Sequence, residues 1–425
     1  MSVTTTSLLD ELAWRGMLYQ STDGLSEALA SGSVRGYCGF DPTGPSLHVG
    51  SLMPIMGLVH LQLAGHRPVA LVGGGTGMIG DPSGKTIERQ LNSREVVEEN
   101  TLSIRRQLEH FLDFEGPNAA IMLDNAEWLA PLNLIDFLRD VGKHFSVNVM
   151  LAKESVRGRM ESGISYTEFS YMLLQAYDYL AMHRKYGVSL QLGGSDQWGN
   201  MTAGTDLIRR MEGGQAHALT LPLLTTSSGA KFGKTEAGAV WLDPQRTSPY
   251  QFYQFWMHTE DGEVGKLLRF FTLLPRDEIE SIDEATAARP ERREAQHALA
   301  YDVTSRVHGA EAARVAQEVS ALLFAKGDPR RLSPAAFGAL AKEIPYVEVP
   351  AAAEGAALDA IDLFVAAGLV KSKGEARRLL EQGGLTVSGR RLTADDKAIR
   401  DEDFLAGRYL LLKKGARDYA LVRVD

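Results

Sequence analysis

The sequence predicts an α/β protein. A Rossmann-like parallel-sheet body is followed by a helical domain and a small α+β module. Three observations carry this. The first half alternates short apolar runs with amphipathic stretches, the pattern of a parallel sheet covered on both faces. From about residue 248 to 340 the strand signals fade and helical periodicity takes over. Beyond that, 13 Lys/Arg stand against 11 Asp/Glu from Leu358 to the end, a slightly basic tail on a chain whose net charge is −9.

Each element has its reason. Residues 34–40, 68–73, 119–124 and 189–192 are short and apolar, with Gly or Asp at their ends, and read as strands. Between them, 50–64, 94–111, 132–141, 168–186 and 198–212 repeat apolar residues at helical spacing. Further on, 262–272, 291–308 and 310–325 read as helices, with Pro290 at a position that a helix start tolerates. Pro345, Pro350 and the Ala/Gly-rich run after them read as a linker. The tail should hold a helix at 373–382, a Gly383-Gly384 turn, and strands at 385–387 and 409–412. The expected division is 1–247 for the body, 248–344 for the helical domain, 345–357 for the linker and 358–425 for the terminal module.

Composition excludes several classes. The 425 residues are 44% hydrophobic and 23% charged, which suits real cores, and no run is long and apolar enough for a membrane span. The start of the chain lacks a basic region before Asp10 and Glu11, so a secretory signal is not expected. A single cysteine, Cys38, permits no intrachain disulfide and suits a reducing cytoplasm. The histidines lack zinc-type spacing, so no bound metal is expected.

Some motifs fail on inspection. Gly75-Thr76-Gly77-Met78-Ile79-Gly80 matches the dinucleotide fingerprint, yet Asp81-Pro82-Ser83-Gly84 follows at once with turn chemistry where a helix should run. Gly80…Gly84-Lys85-Thr86 and Gly229…Gly233-Lys234-Thr235 have three residues between their glycines where a P-loop has four.

Two segments carry more. Tyr37-Cys38-Gly39-Phe40-Asp41-Pro42-Thr43-Gly44-Pro45-Ser46-Leu47-His48-Val49-Gly50 runs from a strand end through a turn-rich loop to a helix start, where phosphate is attracted. Lys231-Phe232-Gly233-Lys234-Thr235 places two ammonium groups in a polar loop, suited to a polyphosphate. On 168–186, Tyr171, Gln175 and Asp178 fall on one face of an otherwise apolar helix, as a satisfied buried network or a ligand site would.

These two segments resemble the HIGH and KMSKS signatures of class I aminoacyl-tRNA synthetases. With Gly80-Asp81-Pro82-Ser83-Gly84-Lys85, Phe169-Ser170-Tyr171…Gln175-Ala176-Tyr177-Asp178 and Gly193-Gly194-Ser195-Asp196-Gln197-Trp198-Gly199-Asn200, the whole chain is similar to bacterial tyrosyl-tRNA synthetases. The tail resembles an S4-type RNA-binding domain. Ser51 stands where the first signature has its second His. Gly233 and Thr235 replace the serines of the second, as in the tyrosyl branch.

The resemblance implies activation of L-tyrosine by ATP, with Mg²⁺ accompanying the nucleotide, and transfer to tRNA(Tyr) by a cytoplasmic homodimer with no membrane association. Its interface would lie around residues 137–166. Tyr37 and Asp178 would bind the substrate phenol. Asp81, Tyr171 and Gln175 would hold its ammonium, and Gln197 its carboxylate. Thr43, His48, Lys231, Lys234 and Thr235 would meet the phosphates. Cys38, Gly194 and Asp196 would reach the ribose, with Asp41 near the reacting groups, Gly50 and Ser51 on the ATP side and Gln191 in support. On the tail, Lys373, Arg377, Arg378, Arg390 and Arg391 would face tRNA. A tryptophanyl enzyme, an RNA-binding module on an inactive scaffold and a dinucleotide oxidoreductase are the competing readings. Asp178 with Tyr37 favours a phenol over an indole.

Overall fold

The computed structural model describes residues 7–83, 91–160, 163–225, 232–235, 238–325, 327–351 and 358–425. The side chains at positions 154, 155, 159, 234 and 235 are outside that description. Two compact units emerge: Met1–Thr247 with Thr259–Leu299, and Ser248–His258 with Ala300–Asp425.

The first unit is built on a six-stranded sheet. Its strands are β1 (Gln20–Ser21), β2 (Arg35–Phe40), β3 (Arg67–Val72), β4 (Ile121–Asp124), β5 (Val188–Gly194) and β6 (His217–Leu221), in the order β1-β6-β5-β2-β3-β4. All neighbours are parallel except β1 against β6. The chain runs outward from β2 through β3 to β4, then returns to lay β5 on the other side of β2. The strand order therefore reverses between β2 and β5, and the carboxyl ends of those two strands flank the crevice where such sheets bind ligands. Both faces are covered, so β3 and β6 are buried nearly throughout, as doubly covered parallel strands are.

The expected strands and helices occur with small shifts at their ends. β6 and the antiparallel edge β1 were not anticipated. Five residues of HALTL have no periodicity that separates a strand from a buried helix turn. The helix Tyr166–Tyr186 is well marked at both ends. The Ser165 hydroxyl accepts the Glu168 N–H at its start, and Gly187 takes a left-handed φ of 64° at its close.

The helices Asp261–Phe271 and Arg276–Ala288, expected in the helical domain, cluster with the sheet unit. The buried Arg15 explains this. Its guanidinium donates to the carbonyls of Arg269 (2.9 Å), Thr272 (2.8 Å) and Leu274 (3.1 Å). The N-terminal helix Leu8–Trp14 is pinned to them through it. A two-stranded ribbon, β7 (Lys234–Thr235) with β8 (Gly238–Ala239), also belongs to this unit.

The second unit contains the helices Pro249–Met257, Ala310–Phe324 and Pro334–Glu343, and a five-stranded sheet. The sheet order is β11-β10-β12-β13-β9, with β9 (Tyr346–Val349), β10 (Leu385–Val387), β11 (Arg390–Arg391), β12 (Tyr409–Lys414) and β13 (Asp418–Val424). The segment read as the first part of a linker thus contains β9, paired parallel to β13. Residues 352–357 lie outside the described residues. Phe364, Leu385, Val387, Leu410 and Val422 form part of this module's own core. The Phe337 and Tyr409 rings stack on one another, 4.6 Å apart and 2° from parallel. Among the described residues no helix is long and apolar enough to cross a membrane.

Candidate functional site

A cavity of about 380 Å³ opens at the carboxyl ends of β2 and β5. It is lined by Tyr37, Cys38, Asp41, Thr43, His48, Gly50, Ser51, Asp81, Tyr171, Gln175, Asp178, Gln191, Gly194, Asp196 and Gln197. The fold brings these expected residues together from four separate stretches of chain. Lys231 lies outside the described residues, as do the Lys234 and Thr235 side chains. Phe232 between those lysines lines the cavity.

At the deep end, β2 supplies Tyr37 and the helix Tyr166–Tyr186 supplies Asp178. Asp178 is 2% exposed. Each of its carboxylate oxygens accepts one N–H: Asn125 Nδ2 at 2.8 Å and Trp128 Nε1 at 2.7 Å. Burial pushes its carboxyl up to about 7; the Asn125 and Trp128 bonds oppose the rise, while Asp41 and Asp124 reinforce it. The Tyr37 hydroxyl, equally buried, has no hydrogen-bond partner among the described residues. Burial, and then the Asp178 charge, push its phenol well above the ordinary range, so it stays a donor. A buried donor left open beside a carboxylate that already holds two N–H groups is an arrangement that a ligand hydroxyl would complete. The Gln191 Oε1 on β5 is likewise buried and unpartnered among the described residues.

Above it lies a polar network. Asp41 accepts from Thr76 Oγ1 at 2.7 Å and from the Tyr171 hydroxyl at 2.8 Å. Asp81 accepts the Gln197 amide at 2.6 Å and the Ser83 N–H at 2.9 Å. Asn200 donates from its single amide to Ser83, Gln175 and Gln197.

Towards the mouth, His48 caps the turn Val49–Ser51. Its Nδ1 accepts the Gly50 N–H at 3.0 Å, which leaves the ring proton on Nε2. Only glycine fits at 50, because a Cβ would lie 2.7 Å from the His48 ring. Gly233 holds φ +81°, and a Cβ there would meet Val49 at 2.3 Å, so the lysine loop packs directly on the first signature. The Cys38 thiol is buried, and burial pushes it up to about 12, which rules it out as a nucleophile.

The comparisons agree with this geometry. The family model described as tRNA synthetases class I (W and Y) matches residues 30–325, and that of the tyrosine–tRNA ligase SYY-like C-terminal domain matches 337–422. A tyrosine–tRNA ligase of Anaeromyxobacter dehalogenans is 53% identical over 418 residues, 98% of this chain and 99% of its own. One from Thermobifida fusca is 51% identical, covering 97% and 98%. The chain belongs to the tyrosine–tRNA ligases. Among solved structures, a C-terminally truncated mitochondrial tyrosyl-tRNA synthetase of Aspergillus nidulans aligns with a TM-score of 0.69. It is 31% identical and covers 75% of this chain and 94% of its own.

For a tyrosine–tRNA ligase of class I, the parallel sheet with its crevice at the β2/β5 switch is the expected scaffold, and a dinucleotide fingerprint at 75–80 is not needed. Those glycines instead form the loop after β3. Sequence reasoning missed Thr76, Asn125, Trp128 and Asn200. Asn125 follows directly on β4, and a search of every strand's carboxyl end would have found it.

The tail residues divide. Arg377 and Arg378 are exposed on the helix Lys373–Glu381. Lys373 lies 2.5 Å from Asp362 at an exposed site. Arg391 donates to the Gly383 carbonyl at 3.0 Å, closing off the end of the preceding helix. Arg390 is only 14% exposed and grips the fully buried Asp403 with two nitrogens, at 2.8 and 2.5 Å. A guanidinium so committed braces the module and is not presented to RNA, which corrects the expectation for that residue.

Proposed function

We propose that the cavity forms tyrosyl-adenylate from L-tyrosine and MgATP, after which the chain passes tyrosine to the 3′ end of tRNA(Tyr). The observation that carries this reading is the buried, open Tyr37 hydroxyl beside Asp178. The substrate phenol donates to Asp178 and accepts from Tyr37. Phenylalanine would leave both groups desolvated and unpaired, and is rejected for that reason. Tyrosine-specific synthetases are the familiar case of this rule.

Asp81, Gln175 and the Tyr171 oxygen hold the ammonium, and Gln197 faces the carboxylate. The carboxylate is already ionised, so no general base is required. One of its oxygens attacks the α-phosphorus, and the bond to the bridging oxygen breaks, with the electron pair leaving on pyrophosphate. Catalysis is positioning plus stabilisation of charge on the phosphates. Thr43 and His48 Nε2 meet the β- and γ-phosphates from one side; Lys231, Lys234 and Thr235 close from the other. Gly194, Asp196 and Cys38 flank the ribose, Gly50 and Ser51 the nucleotide. Mg²⁺ comes as part of the substrate, on the ATP phosphates. In the second step a terminal ribose hydroxyl attacks the tyrosyl carbonyl and AMP leaves.

A homodimer is part of the proposal. Leu134, Ile135, Leu138, Val147, Val149 and Tyr166 are 42–73% exposed on the surface of residues 134–166, while Phe137 itself is buried. Exposed apolar groups at this density mark an interface. The single cysteine and the need for tRNA and ATP support a cytoplasmic enzyme. Pyrophosphate exchange with each of the twenty amino acids tests the function. Tyrosine alone should support it, and exchange driven by tryptophan would overturn the assignment.

A further inference from the structure

Asn200 sits in the first turn of the helix Trp198–Glu212 and is 3% exposed. Its Nδ2 lies 3.3 Å from Ser83 Oγ, 3.1 Å from Gln175 Oε1 and 3.2 Å from Gln197 Oε1. The direction of these bonds is not arbitrary. An ionised Asp81 can only accept, so Gln197 must turn its amide N–H to it. The Gln197 oxygen then faces Asn200, which must present its own N–H₂. That group in turn fixes Gln175 with its oxygen inward. One charge thus sets the orientation of three amides in sequence.

We infer that Asn200 is a positioning residue that passes the polarity of Asp81, received through Gln197, on to Gln175. Resting on the reading of the cavity given above, this assigns the two ends of the substrate zwitterion. The second N–H of Gln197 is left for the carboxylate, and the second lone pair of Gln175 Oε1 for the ammonium. Asn200 touches neither.

Replacing the donor by an acceptor of the same shape reverses the relay. In Asn200→Asp, Gln197 stays fixed by Asp81, while Gln175 turns its N–H group towards position 200 and loses the oxygen that it held for the ammonium. The test compares binding of L-tyrosine and 3-(4-hydroxyphenyl)propionate, which lacks the ammonium, by fluorescence titration of the full chain. Tyrosine should weaken about tenfold to a hundredfold, the range for a lost bond to a charged group, while the propionate changes less than about threefold. Equal weakening of both ligands, or weakening of neither, overturns the proposal. Should Asn200→Asp fail to fold, Asn200→Ser keeps one donor and should weaken tyrosine by about threefold to tenfold, again sparing the propionate; equal losses there are equally fatal. Gln175→Ala separates the two levels. If it binds tyrosine normally, the underlying reading of the cavity falls. If it loses tyrosine while Asn200→Asp keeps it, the relay alone falls.

Discussion

Asp178 is held by two N–H donors and yet titrates near neutrality, because its burial outweighs them. Two effects of pH follow, with opposite signs. Between the ordinary aspartate value of 3.8 and about 7, the folded ligand-free chain binds a proton that the unfolded chain has lost. Raising pH through that window should therefore lower its stability. On the proposed reading, tyrosine needs the ionised form to accept its phenol, so its affinity should rise over the upper part of the same window and level off above about 7. Titrations from about pH 5.5 to about 8.5 on wild type and Asp178→Asn check this: the variant should lose both slopes. Asp178→Ala should lose about tenfold to a hundredfold in tyrosine activation over phenylalanine, since it strands Tyr37, Asn125 and Trp128. Unchanged discrimination would remove Asp178 from the phenol site. Ser51 makes no capping bond to its helix. Ser51→Ala should cost less than about threefold in exchange rate, and a dead enzyme would mean that this hydroxyl does more than line the cavity.

The elements differ in how openly the sequence declares them. The helix Tyr166–Tyr186 was legible because its cap, its closing glycine and its polar face all lie within one local stretch. The partners of Asp178 were not, since Asn125 and Trp128 are 53 and 50 residues away and meet it only once β4 docks on β3. β9 was hidden for a similar reason. Tyr346–Val349 is an unremarkable run between prolines, and only its register with Leu421–Val424 makes it a strand. Arg390 looked like a free cation because its partner, Asp403, follows 13 residues later. The lysine loop depends on distant contacts as well. Phe232, 9% exposed, stacks on Phe271 at the end of the helix Asp261–Phe271, with centroids 6.0 Å apart and planes at 17°. Losing that ring should loosen the seat of a segment proposed to act while pyrophosphate leaves. Phe271→Leu should slow adenylate formation by about threefold to tenfold and leave tyrosine affinity unchanged, the same split expected, more strongly, for Lys234→Ala. Single-turnover kinetics separate the two quantities, and equal losses in both would count against a role confined to the transition state.

At the scale of the whole chain, every residue assigned to adenylate formation lies between Tyr37 and Thr235, whereas the terminal sheet begins at Tyr346. A deletion tests whether the two steps of the reaction divide along that line. The prolines suggest cutting near Ala351, but such a cut would leave β9 stripped of β13, an edge of unpaired backbone prone to association. Ending the chain at Ile344 removes the sheet entire. It also uncovers Phe337, now stacked on Tyr409, and the surface near Leu322 that the Tyr419 hydroxyl reaches at 3.5 Å. Stability should therefore fall by about 1–3 kcal/mol in the remaining helices, from the loss of one buried aromatic contact and its neighbours. That loss belongs to the second unit and leaves the cavity's own supports in place. Tyrosine-dependent pyrophosphate exchange should persist within about threefold, while transfer to tRNA should collapse if Arg377 and Arg378 are the phosphate contacts proposed for them. Arg377→Ala with Arg378→Ala in the full chain should reproduce part of the transfer defect and flatten its dependence on salt, with exchange untouched. A shortened chain that charges tRNA normally would strip the tail of its RNA role. One that loses exchange as well, while sedimenting as a dimer, would make the tail a support for the catalytic fold.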